Sequence, residues 1–128
     1  MDHTVGPAPG ASVWDQLEYW MHSITVRKIW WLTSSKADVP HVRRQLTLQD
    51  YTVARCLSPT FSEGSANTLV TDWASYADAQ DAFRCILPSL DIVVLHDLSE
   101  LDVAAWKRWA FLSGEAGYGL SSEAAIIV

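Results

Sequence analysis

Apolar residues recur along this chain at three spacings: every second position, every third or fourth, and in one unbroken run. The unbroken run is Asp91-Ile92-Val93-Val94-Leu95, closed by His96-Asp97. A strand with one wet face alternates apolar and polar residues. This one does not, so it reads as a strand covered on both faces. Ser99-Glu100-Leu101-Asp102 then opens a helical pattern that runs to Ser113. Ser99 is the expected N-cap with Asp102 in the capping-box position, and Gly114 is the expected left-handed C-cap. On the helical wheel Leu101, Ala104, Ala105, Trp109 and Leu112 cover one broad face, the expected core side. Val103 and Trp106 fall off its edge.

The same patterns divide the rest of the chain. Ser12 to His22 reads as a helix, capped by Ser12, with Val13, Trp14, Leu17, Trp20 and Met21 on its apolar stripe. Ile24 to Thr33 changes to period two, a strand rich in β-branched and aromatic residues. In His41 to Leu57, Gln45-Leu46-Thr47-Leu48-Gln49 alternates and the parity shifts after Asp50, which predicts a bulged strand. The rival there is a helix from Leu48 to Leu57, capped by Thr47, but its apolar residues scatter around the wheel. Asn67 to Trp73 reads as a further strand. Ser75 is expected to cap a helix with Tyr76, Ala79, Phe83, Ile86 and Leu87 inward, stopped by Pro88. Ala124 to Val128 is an apolar closing strand.

The resulting order, α-β-β-β-α-β-α-β, describes an α+β fold with a mixed sheet in one domain over residues 12–128. Met1 to Ala11, with Gly6, Pro7, Pro9 and Gly10, is expected to be a flexible arm. The first six elements share their order with nuclease-type αβββαβ cores. Such a site needs an acid followed by acid-x-Lys to hold a metal ion. Thr71-Asp72-Trp73 supplies no Lys, so the analogy carries no nuclease activity.

Charge changes the picture more than length does. The 128 residues carry a net charge of −6. Residues 1–58 hold six Lys/Arg against five Asp/Glu, whereas residues 59–128 hold three against ten. An acidic half argues against phosphate binding there and is compatible with a basic partner. No apolar run approaches the ~20 residues of a membrane span, and residues 1–11 have no signal-peptide pattern. Cys56 and Cys85 lie apart without C-x-x-C spacing, which fits a reducing, cytoplasmic setting and small core residues; a bridge between them stays open.

Candidate chemistry is sparse. His96 and Asp97 end the buried strand, and Asp72 would join them for acid–base or metal work if its strand were the neighbour. The competing account is that the His-Asp pair only shapes a loop. Neither cysteine sits on a strand-to-helix elbow, no glycine-rich phosphate cradle is present, and no Cys/His pair has zinc spacing, so no metal or cofactor is expected. Arg27, Lys28, Lys36, His41, Arg43 and Arg44 form a basic group beside Trp30 and Trp31. Basic residues with aromatics can hold single-stranded nucleic acid, but a solvated hairpin with charged edges is the favoured account, and nucleic acid is not the expected partner.

Seven tryptophans are many for one small core. Trp is enriched at protein interfaces, so surplus Trp points to contact. The expectation is therefore a non-catalytic protein-binding module: an inhibitor, an immunity or antitoxin-like protein, an adaptor or an accessory subunit. Its contacts are expected at Trp30, Trp31, Trp106, Glu100 and Asp102, and its partner is another protein or a second copy of itself. A small enzyme centred on His96 and Asp97 is the alternative.

Overall fold

A computed structural model of the chain describes residues 12–23, 28–54, 66–115 and 119–128. The helices and strands alternate: α1 (Val13–Ser23), β1 (Ile29–Thr33), α2 (Val39–Leu48), β2 (Thr68–Asp72), α3 (Trp73–Asp78), α4 (Gln80–Arg84), β3 (Ile92–His96), α5 (Glu100–Glu115) and β4 (Ala125–Ile127). Short 3-10 turns at Lys36–Asp38 and Leu87–Ser89 precede α2 and β3. The strands form one sheet in the order β2-β1-β3-β4, and every pairing is parallel. The expected mixed sheet is corrected to this all-parallel arrangement.

One segment accounts for the correction. Residues 39–48 are helical, with Pro40 in the first turn, where its missing N–H costs nothing. Val42 and Leu46, four residues apart, are the buried positions. The alternation through Gln45–Gln49 was accidental, and the rival helix over Leu48–Leu57 is also not formed, since α2 ends at Leu48. Asp50 takes positive φ (67°) just beyond it and turns the chain out of the helix. With a helix between β1 and β2, the connection becomes a crossover, which a parallel pair requires.

The two faces of the sheet are covered by different helices. Leu17 of α1 and Val42 and Leu46 of α2 pack on Ile29, Trp31, Val70, Ile92, Val94 and Ile127. Tyr76 of α3, Phe83 of α4 and Trp106, Trp109 and Ala110 of α5 pack on Trp30, Leu32, Leu69, Val93 and Leu95. All five residues of β1 are buried, as a central strand between two helical layers demands. The apolar run of β3 is buried from Ile92 to Leu95.

Local capping follows the sequence in part. The Asp15 N–H donates to Ser12 Oγ (3.1 Å) and the Asp102 N–H to Ser99 Oγ (3.1 Å). The expected helix from Ser75 starts earlier, because Asp72 caps it. It also breaks at Ala79 into α3 and α4. Cys85 is exposed, not a core residue, and is a free thiol; Cys56 lies outside the described residues, as do the proposed arm (1–11) and Arg27. Among the described residues no helix is long and apolar enough to cross a membrane.

Candidate functional site

Two places on this fold could carry function. The first is the carboxyl edge of the sheet. β1 leads through α2 on one face to β2, whereas β3 leads through α5 on the other face to β4. The chain therefore diverges between β1 and β3, and in open parallel sheets a crevice outside the strand ends at such a point is where ligands bind. Thr33 and His96 end these two strands in register, with Thr33 Oγ1 3.3 Å from His96 Nδ1. The rings of Trp31 and His96 meet in a T-shaped contact at a centroid distance of 5.3 Å, and Asp97 Oδ2 lies 3.6 Å from His96 Nε2. Asp97 sits at φ 57°, a conformation that costs a non-glycine residue some strain.

Asp72 does not join this pair. It stands in the same row but on the far side of β1, paired with Thr33. Two strand spacings, about 9–10 Å, separate it from His96. Its carboxylate accepts from Ser75 N–H (3.1 Å) and Ser75 Oγ–H (2.7 Å), and so starts α3. Burial works against its ionised form. The Ser75 hydrogen bonds and the nearby Lys36 charge outweigh that and hold its pKa below the usual carboxylate range. The expected three-residue constellation of Asp72, His96 and Asp97 thus separates into a helix cap and a two-residue strand end. Among the described residues, no group of three or more His, Cys, Asp or Glu is placed to hold a metal ion.

The second place is α5. Its inner side is Val103, Trp106, Trp109, Ala110 and Ser113, and Trp106 is wholly buried. That overturns the expectation that Trp106 is the exposed tryptophan. Trp30 and Trp31 are likewise buried, so none of the three is available for contact in this fold. They fill the two layers: Trp30 stacks on Phe83 (5.0 Å, 7°) and donates from Nε1 to Thr71 Oγ1 (2.8 Å), and Trp31 packs on Trp14 (4.5 Å).

Of the five residues expected to face the core, Trp109 does so, whereas Leu101, Ala104, Ala105 and Leu112 face outward. Leu101 is 82% exposed, Phe111 79% and Leu112 56%, with Ala104, Ala105 and Arg108 exposed between them. These six residues recur at the spacing i, i+3, i+4, i+7, i+10, i+11, which is one face of a helix. α5 therefore carries two apolar stripes on opposite sides, and the sheet buries only the one built on Trp106 and Trp109. Phe111 also borders a groove of about 570 Å³ against Leu120 and Ile126, beside the outer edge of β4. Glu100 is exposed near the start of this face and Asp102 is half-buried at its inner margin.

The basic group is dispersed. Lys28 is buried at the amino edge of the sheet, where its ammonium donates to the Ala66 carbonyl and burial lowers its pKa. Arg43 and Arg44 lie on α2 and Lys36 on the turn before it. With Trp30 and Trp31 interior, no aromatic–basic stacking platform is formed by these residues.

No protein-family model, curated protein or solved structure matches the chain.

Proposed function

We propose that this chain is a protein-binding module whose contact surface is the outer face of α5. The observation that carries the reading is the second apolar stripe, Leu101, Ala104, Ala105, Phe111 and Leu112, left uncovered on a helix whose other stripe is fully used. Contiguous apolar surface of this kind marks interaction sites, and an amphipathic helical face docks by anchors at this spacing. The tryptophans serve the fold and Leu101, Phe111 and Leu112 serve the partner. Glu100, an expected contact from the sequence, stands at the rim of this face.

The test is a photo-cross-linking residue in place of Ala104 in the full chain, activated in the cell of origin. A discrete adduct is expected, and Leu101→Asp with Leu112→Asp abolishes it. Absence of any adduct, or an adduct indifferent to the double substitution, overturns the reading.

A second reading has one observation in its favour. Thr33, His96 and Asp97 stand together at the divergence point of the sheet. A small enzyme or ligand site there would use His96 as the proton-transferring group and Thr33 to orient it. Ligand-induced shifts of the His96 ring resonances in a small-molecule screen, lost in Thr33→Val, would support this reading over the first. Unchanged resonances across the screen would count against it.

A further inference from the structure

α5 leaves one edge of the sheet uncovered. Ile126 pairs with Val93, whose side chain is buried in the layer under α5, so Ile126 projects to the same side of the sheet. No residue of β4 is buried in that layer, and Ile126 is 38% exposed. Between this edge and the flank of α5 runs the groove of about 570 Å³. Small-molecule sites span about 300–1,000 Å³ and are mostly apolar. The apolar wall here is Trp106, Ala110, Phe111, Leu120 and Ile126.

The polar side chains along the groove can all donate. Lys107 is its one charged lining residue and is in no ion pair among the described residues. The others are the hydroxyls of Ser121 and Ser122. Ser121 Oγ accepts from the Glu123 N–H (3.2 Å), which leaves its O–H to donate. The backbone adds a donor. Ala125 N–H is used on the Asp91 carbonyl, and successive residues of a parallel strand turn to opposite edges, so the Ile126 N–H points away from β3 to the open edge. Trp106 Nε1–H is buried with no acceptor among the described residues, whereas a buried indole N–H ordinarily has one. Trp31 and Trp109 share that lack but do not line the groove. No carboxylate lines it, although residues 59–128 hold ten Asp/Glu. A cationic ligand therefore finds no counter-charge, and a wholly apolar one leaves Lys107 unused. A phosphate, with nearly two charges, meets a single cation.

We propose that the groove between α5 and the open edge of β4 binds a small, free monocarboxylate with an apolar body. The carboxylate takes a charge-assisted hydrogen bond from Lys107, and the body covers the wall built on Trp106, Phe111 and Leu120. Leu101, Ala104 and Leu112 do not line the groove, so the site is independent of the reading of α5 as a contact surface.

Titration of the full chain with decanoate, followed by heteronuclear NMR, tests this, with decanol as the uncharged counterpart. Saturable shifts are expected at the Ala110 and Ile126 methyls and at the Trp106 indole N–H. Decanol is expected to bind about tenfold more weakly, the effect of losing one charge-assisted hydrogen bond. Lys107→Met, at an exposed position, weakens decanoate by about the same factor and leaves decanol unchanged. Ser122→Trp, also at an exposed lining position, fills the groove and abolishes both, whereas Leu101→Asp with Leu112→Asp changes neither. No saturable shift with decanoate overturns the proposal, as do equal affinities for decanoate and decanol, decanoate binding indifferent to Lys107→Met, or shifts centred on Leu101 and Leu112.

Discussion

At the residue scale, the tryptophans show how one side-chain type can be read two ways from sequence. Trp30 is held by stacking on Phe83 and by its bond to Thr71, so its polar group is satisfied inside the core. Thr71→Val leaves that indole N–H buried without an acceptor and is expected to cost about 1–3 kcal/mol in denaturant unfolding. An unchanged midpoint would mean the bond does not form. Asp72 gives a prediction in pH. Its folded pKa lies below the unfolded value of about 3.9, so its contribution is complete above that pH and is lost as pH falls through the lowered folded pKa. Asp72→Asn is expected to flatten the acid limb of the stability profile. Asp72→Ala, which removes the α3 cap, costs about 1–2 kcal/mol at neutral pH. An acid limb identical to the parent's would contradict the assignment.

At the element scale, β3, β4, α1 and the start of α5 were legible because their signals were local: an unbroken apolar run, or Ser12 and Ser99 ahead of a helical pattern. α2 was not, because Leu46 and Leu48 happen to alternate with polar neighbours. Val39, Val42 and Leu46, the true stripe, is short and includes the residue before Pro40. The pattern of α5 gives the helix and places Trp109 inward, but it also places Leu101, Ala104, Ala105 and Leu112 inward, which the structure exposes. The helix has two apolar faces, and periodicity cannot say which one a sheet will choose. The structure chooses the face with the larger side chains, Trp106 and Trp109, because they fill the layer against Trp30 and Tyr76. This assignment has a sharp mutational signature. Trp106→Ala should cost about 3–5 kcal/mol, whereas Leu101→Asp should stay within about 0.5 kcal/mol of the parent in dilute solution. Comparable losses at both positions would reverse the orientation of α5. Of the two acidic residues expected as contacts, Glu100 is exposed beside the outer face and Asp102 is half-buried at its inner margin; Phe111, three residues after Arg108 and one before Leu112, is absent from the sequence reading.

At the scale of the whole molecule, a doubly wound sheet uses both of its faces for its own helices and leaves function to edges and outer helix surfaces. Here the carboxyl edge offers the Thr33–His96 contact, and the outer layer offers α5. The acid-rich second half is consistent with this division. Two of its three basic residues, Lys107 and Arg108, stand on α5, so the proposed contact face differs in charge from the rest of that half. Local complementarity of this kind governs which partner docks more than how tightly it is held.

The protein-binding reading requires that the outer face of α5 be covered when the protein is at work. Carbene footprinting of the full chain reads this directly, comparing dilute purified protein with the protein in extract of its cell of origin. Heavy labelling of Leu101, Phe111 and Leu112 in dilute solution, with protection in the extract, is the predicted result. Equal labelling of these three side chains in both conditions would contradict it.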